Sequence, residues 1–255
     1  MSFPTWSDLN DEPIIPPLGT RVLPDLGSVA IMVSTDPDFR YVEANCSNIS
    51  PKNQFFLGSI FTSKKSNIAV AGPYLGSPCA AMVLESLIAR GVSEVLVVGW
   101  CGAIAPHLKA GDIVVADAAI CDEGTSRNYM KMPLNSHFPT ALPSSNLSER
   151  LKLALESNSL DYQTGKIWTT DAIFRETTKK VAFFQDMGAI AVEMECAALF
   201  AVAQYHKVEI AASLIVSDSL STPKWQPGFK EPAFKNGRKR LLNLIVDIVR
   251  SENLI

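Results

Sequence analysis

Short, almost wholly apolar runs recur along this chain, and several end within two residues of a charged one. Residues 28–34, 67–71, 94–99, 111–116 and 209–216 are of strand length and apolar enough to be buried on both faces. Residues 165–170 read as a further strand. Segments of helical character stand between them: 79–90, closed by Gly91; 147–156, apolar at Leu147, Leu151 and Leu155; about 178–187; and about 234–251. Strands buried on both faces and alternating with helices demand an α/β fold with a largely parallel or mixed sheet covered on both sides. No internal repeat or linker divides the chain, so one domain over 28–255 is expected. A surface arm rich in Pro and Asp over 1–27 precedes it, suited to wrapping a neighbouring subunit.

Within 191–203, a segment almost free of polar groups, stand two carboxylates, Glu193 and Glu195. Burying an ionised carboxylate without partners costs several kcal/mol. Two positions apart, the pair diverges on a helix but shares a face on an extended strand. A strand that ends here and turns into a helix aims both at one spot. Such a pair suits a polyhydroxylated ligand such as ribose, because each carboxylate accepts several hydroxyl protons. Core carboxylates satisfied by backbone amides or a salt bridge are the other reading of the same residues.

In α/β sheets ligands bind beyond the carboxyl ends of the strands. Asp36, Arg40, Arg127, Asp171, Arg175, Glu193, Glu195 and Asp218 all fall at such exits. Residues 35–40 read as a polar turn. Residues 131–146, with Pro133, Pro139 and Pro143, read as a loop long enough to cover a site. A net charge of −3 gives no reason to expect nucleic acid or an anionic membrane as partner. No apolar run is long enough to span a bilayer, and the first residues lack signal-peptide character. The cysteines at 46, 79, 101, 121 and 196 show neither metal-ligand spacing nor a disulfide framework, so a reduced cytoplasmic location and no metal are expected.

Six segments together resemble the nucleoside phosphorylase superfamily of purine nucleoside phosphorylases, uridine phosphorylases and adenosylhomocysteine nucleosidases. They are Asp36-Pro37, residues 99–104 with 111–114, residues 122–126, Thr170-Asp171 with Phe174, residues 192–198, and Val216-Ser217-Asp218. They run in family order and spacing between about residues 28 and 220. The resemblance implies one domain around a mixed, mostly parallel and partly barrel-like sheet flanked by helices. It implies homo-oligomers (dimers, trimers or hexamers) and cleavage of a nucleoside N-glycosidic bond without a cofactor, inorganic phosphate being the candidate co-substrate. Carried over by position, Glu195 holds the ribose hydroxyls with Glu193 in support and Met194 on the sugar. Asp218 is the acid that protonates a departing purine, the chemistry that bond cleavage to an oxocarbenium-like state calls for. Phe174 or Ile173 stacks on the base, Arg175 meets a base oxygen, and Trp100, Cys101 and Gly102 line the substrate.

This chain also departs from the family pattern, and the departures fall on phosphate. Thr35 replaces the first-loop glycine, Arg40 lies one residue late, and Val97 and Trp100 stand where an arginine and a Ser or Thr are usual. Lys52-Asn53 replaces the arginine that a neighbouring subunit often lends. Arg40, Thr35, amides near residues 72–77 and Arg127 remain as weak phosphate donors. Three functions follow: a nucleoside phosphorylase acting on a purine nucleoside, a nucleosidase in which water replaces phosphate, and a non-catalytic nucleoside-binding protein.

Overall fold

Each apolar run forms a strand of one mixed sheet. The computed structural model describes residues 13–17, 26–131 and 138–251. Over these the order is β1 (Val29–Val33), α1 (Asp36–Asn45), β2 (Asn53–Phe55), β3 (Gly58–Thr62), β4 (Ala69–Gly72), α2 (Ser77–Ile88), β5 (Glu94–Ala103), β6 (Ile113–Asp122), β7 (Thr140–Ala141), α3 (Ser145–Ser157), β8 (Tyr162–Thr170), α4 (Thr178–Asp186), β9 (Ala189–Glu193), α5 (Cys196–His206), β10 (Glu209–Ser219), β11 (Gln226–Pro227) and α6 (Pro232–Arg250). Short 3-10 turns lie at Ser126–Asn128 and Ile173–Arg175.

Strand β5 is the hinge of the topology. Along its first half it lies between β1 and β10, parallel to both, with Ala30 opposite Val95 and Ile210 opposite the same residue. At its end β9 takes the place of β1, pairing Gly102 with Val192 and Ala103 with Ala191. The path from β10 through β6, β8 and β9 back to β5 therefore closes a ring, while β1, β4, β3 and β2 form an open wing. The longest ladders, β5 with β10 and β6 with β8, are parallel. This is the mixed α/β sheet expected from the residue pattern, in the partly barrel-like form that the family resemblance implies.

Both faces of the sheet are buried, and the strand period of two sorts the core. Ala30, Met32, Val95 and Val97 face the cluster built with α2 and α5, whereas Ile31, Val33, Leu96 and Val98 face the one built with α1, α3 and α6. Residues 196–203 of α5 are all buried, so this helix is apolar around its whole circumference rather than on one stripe.

The structure departs from the sequence reading at several points. Residues 36–40 are not a polar turn but the first turn of α1, where Pro37 supplies a preset φ and Asp36 and Asp38 meet the positive helix end. The hairpin of β2 and β3 has no apolar run to announce it, since Asn53 and Gln54 are exposed. Of the expected covering loop, Thr140 and Ala141 pair with Ile120 and Ala119 of β6, while 132–137 lie outside the described residues. Most of the arm expected over 1–27 also lies outside them.

Phe200, fully buried in the middle of α5, tests this core. Phe200→Ala should lower the unfolding free energy by about 3–5 kcal/mol with an unchanged denaturant slope. A loss below about 1 kcal/mol would mean that α5 is not the buried centre of its cluster.

Candidate active site

The carboxyl ends of β1, β5, β9 and β10, with the loops after β4 and β8, surround one cavity of about 510 Å³. Ser34 and Thr35 follow β1, Tyr74 and Leu75 follow β4, and Trp100, Cys101 and Gly102 end β5. Ile173, Phe174 and Glu176 follow β8, and Val192, Glu193, Met194 and Glu195 span the passage from β9 to α5. Ser217 and Asp218 end the long strand β10, with Leu220, Trp225 and Phe229 just beyond. A volume of this size suits a nucleoside-sized ligand.

The strand carrying the two carboxylates ends at Glu193, and Glu195 is the cap residue of α5, so the pair does not share a strand face as expected. Both nevertheless line the cavity. Their duties differ. Glu193 accepts the Thr169 hydroxyl at 2.6 Å and the backbone N–H groups of Glu195 and Cys196 at 2.7 and 2.8 Å, satisfying the open end of α5. Glu195 accepts one hydrogen bond across the cavity wall, from the Gly76 N–H at 2.6 Å, at the cap of α2. The Ser77 hydroxyl donates to the Met194 carbonyl at 2.8 Å, tying the two helix starts together. Beside them the Tyr74 hydroxyl is buried without a hydrogen-bond partner among the described residues. Burial pushes its pKa up first, and the charges of Glu195 and Glu193 add to that.

At the opposite end, a bulge in the pairing of β10 with β5 falls between Val216 and Asp218 and sets Asp218 opposite Gly102. A Cβ at Gly102 would lie 2.6 Å from Leu220 Cδ1 and 3.3 Å from Asp218 Oδ2, so a larger residue there would push the Leu220 side chain aside. Asp218 accepts from Ser217 Oγ at 2.6 Å and from the Trp225 indole N–H at 2.7 Å. Burial, and then the Asp218 charge, raise Glu176 to about 7, against the pull of Lys180.

The side expected to hold phosphate is closed. Trp100 fills it, and its indole N–H donates at 2.7 Å to Asp38 of α1, a carboxylate only 1 % exposed. Arg238 of α6 pairs with the other oxygen of Asp38 and lies over the Trp100 ring, so this guanidinium is committed. Burial raises the Asp38 pKa, opposed chiefly by the Arg238 charge. Arg40 does not reach the cavity. One helical turn beyond Asp36 it pairs with that residue at 3.0 Å, its side chain 74 % exposed, in a separate groove with Glu43 and Lys52. Arg175 and Arg127 are exposed and outside the cavity lining, and Val97 is buried in the core toward α2 and α5. An arginine at 97 would therefore place a charge in that core. Among the described residues the charged groups lining the cavity are Glu176, Glu193, Glu195 and Asp218, and no Lys, Arg or His joins them. No cluster of potential metal ligands occurs among the described residues.

Sequence reasoning missed Tyr74, Glu176, Trp225 and the Asp38–Arg238 pair. Glu176 stood two residues from the expected stacking position, a usable signal. Arg238 sits far away on a C-terminal helix and gave none.

The chain matches the model of the phosphorylase superfamily over residues 22–250. It is 32% identical over 155 residues to a guanosine phosphorylase of Halorubrum lacusprofundi, a match covering 61% of this chain and 62% of that protein. Its fold resembles a purine nucleoside phosphorylase from Toxoplasma gondii (TM-score 0.76, 17% identity, 88% of this chain and 91% of the other). It also resembles a 5′-methylthioadenosine/S-adenosyl homocysteine nucleosidase from Campylobacter jejuni (TM-score 0.72, 18% identity, 87% and 97%).

Glu195 gives this site a pH signature. Burial first, then the neighbouring Glu193 charge, lift it from 4.5 to about 8 against the Gly76 amide. Between those values the unfolded chain releases the proton and the folded chain retains it, so stability of the empty protein falls as pH rises through this window. Glu195→Gln should flatten that fall and raise the Tm above pH 8, by roughly 2–4 °C for each kcal/mol regained. A lower Tm for the variant at that pH would identify Glu195 as a support of the core instead.

Proposed function

We propose that this chain, a member of the phosphorylase superfamily, cleaves the N-glycosidic bond of a purine nucleoside and uses water in preference to phosphate. The observation that carries this reading is the lack of a cation: four carboxyl groups line the cavity and, among the described residues, no cationic side chain does. A neutral nucleoside enters such a site readily. Phosphate, an anion bound elsewhere through arginine forks or free amides, meets no arginine in this lining among the described residues, and three nearby helix-start amides are already taken. The amide of Gly76 is taken by Glu195, and those of Glu195 and Cys196 by Glu193.

In this reading the ribose hydroxyls donate to Glu195, which accepts the Gly76 N–H in the empty site. Glu193 keeps Glu195 in place through the backbone it caps. Met194 lies against the sugar, and Ile173 and the 97 % exposed Phe174 form the edge over which the base stacks. As the C1′–N bond lengthens, positive charge grows on the sugar, and fixed carboxylates around it lower the barrier. The bond electrons leave with the base, which takes up a proton from the acids at its end of the cavity, Asp218 and Glu176. Water then adds to the sugar carbon. The preference for a purine rests on Asp218 and on the names of the relatives. Phosphorolysis is the second reading, favoured by the activity named for the guanosine phosphorylase relative.

Two measurements decide. Without added phosphate, purine nucleosides should be turned over to free ribose, and rates should show no phosphate saturation below about 1 mM. Micromolar saturation with ribose 1-phosphate as the sole product would establish phosphorolysis. Glu195→Ala should remain folded and lose cleavage by about 30- to 1,000-fold, the loss of ~2–4 kcal/mol of charged hydrogen bonding. Normal activity in a destabilised variant would contradict the ligand role.

A further inference from the structure

Beyond β10 the chain doubles back on itself. The short strand β11 pairs antiparallel with the end of β10, setting Pro227 opposite Asp218 and Gln226 opposite Ser219. The Gly228 N–H donates to the Ser217 carbonyl at 2.9 Å, and a Cβ at Gly228 would lie 2.7 Å from that oxygen, so the close return uses a residue without a side chain. The connecting turn is braced by its own side chains. The Thr222 hydroxyl donates to the Lys224 carbonyl at 2.9 Å and accepts from Gln226 Nε2 at 3.2 Å. This return places Trp225 on the cavity wall beside Asp218, its ring 6.2 Å from that of Phe229.

Trp225 meets the acid with its one polar side-chain atom. The indole N–H donates to Asp218 Oδ2 at 2.7 Å, and Ser217 Oγ lies 2.6 Å from Oδ1 on the other side. One partner on each oxygen fixes the plane of the carboxyl group, and each oxygen keeps a lone pair that can carry a proton into the cavity. An indole N–H only donates, so it never competes for that proton. The Trp225 ring is half-exposed and fills little of the core, which leaves the bond to Asp218 as its specific duty.

We propose that Trp225 is a positioning residue for the transfer of a proton from Asp218 to the departing base. This rests on the N-glycosidic reading above and deepens it. The Asp218 O–H bond breaks as the C1′–N bond does, the proton goes to a base nitrogen, and the glycosidic electron pair stays with that nitrogen. Water oxygen then bonds to C1′ and releases one proton, which restores the acid, so atoms and charge balance. As the proton leaves, a carboxylate forms on Asp218, and the bond from Trp225 becomes charge-assisted and roughly twice as strong. An interaction that strengthens on the way to the transition state lowers the barrier rather than merely holding the ground state.

The test measures kcat and KM of the native protein, Trp225→Phe, Asp218→Asn and the double variant on two substrates. One is a neutral purine nucleoside. The other is a nucleoside whose base carries a fixed positive charge on an alkylated ring nitrogen and leaves without a proton. Phe keeps an aromatic ring on the cavity wall and removes only the N–H donor and the second ring. On the neutral nucleoside, Trp225→Phe should lose roughly 10- to 100-fold in kcat with little change in KM, as expected for a lost hydrogen bond to a charge that forms in the transition state. On the cationic nucleoside its loss should be several-fold smaller. Because both substrates are read on one preparation, a partly unfolded variant cannot mimic that difference. In the Asp218→Asn background, Trp225→Phe should cost less than about 2-fold on the neutral nucleoside, since no proton remains to be positioned. Equal losses on the two nucleosides, a native rate on the neutral one, or an undiminished cost in the Asp218→Asn background would overturn the assignment. Cleavage of neither nucleoside by the native protein would instead sink the N-glycosidic reading, because the cationic one needs no donor.

Discussion

One carboxylate ties this structure together. Glu193 takes the first free amides of α5 and the Thr169 hydroxyl, and Thr169 Oγ1 in turn accepts the Ala197 N–H at 3.0 Å. The most buried helix thus begins on a side chain from β9, at the point where the ring of strands closes. Helix starts need such acceptors, and an apolar helix sealed from water has few other sources. The capping fixes the backbone of Glu195 and so delivers a second carboxylate to the cavity. In the proposed reading, structural and ligand-directed roles are divided between these neighbours rather than shared.

The same logic bears on the proposal that this site disfavours anions. A helix start normally offers anion-binding amides, but at the two bordering this cavity the amides of Gly76, Glu195 and Cys196 already donate to the protein's own carboxylates. The single guanidinium behind Trp100 is neutralised by Asp38. Trp100 then packs its ring near Phe229 and Phe234, filling with aromatic surface a position suited to a charged ligand. The cavity therefore combines apolar and aromatic walls with acids at both ends. That composition favours a polyhydroxylated sugar that becomes cationic during reaction.

Much of this was legible in the sequence. The α/β class followed from runs such as 94–99 and 209–216, because strands buried on both faces admit few architectures. The Glu193, Glu195 and Asp218 constellation was visible as acids at strand exits, and the cavity gathers all three. What failed depended on direction rather than identity. Arg40 sits at a strand exit yet turns outward, because α1 begins at Asp36 and the next turn of a surface helix faces solvent. Arg175 follows Phe174 but projects away from the cavity, whereas Glu176 lines it. The Trp100–Asp38–Arg238 arrangement joins β5, α1 and α6, and no local pattern announces a contact over such separation. Trp225 was hidden in a Pro-rich loop whose course only the folded chain defines.

The central claim is that this cavity accepts a neutral nucleoside and excludes phosphate. Titration calorimetry on the native protein, with a purine nucleoside and with inorganic phosphate in separate cells, addresses it without requiring turnover. The account predicts saturable heat with the nucleoside, lost in Glu195→Ala, and no binding of phosphate up to about millimolar concentration. Micromolar phosphate binding to the empty protein would contradict it.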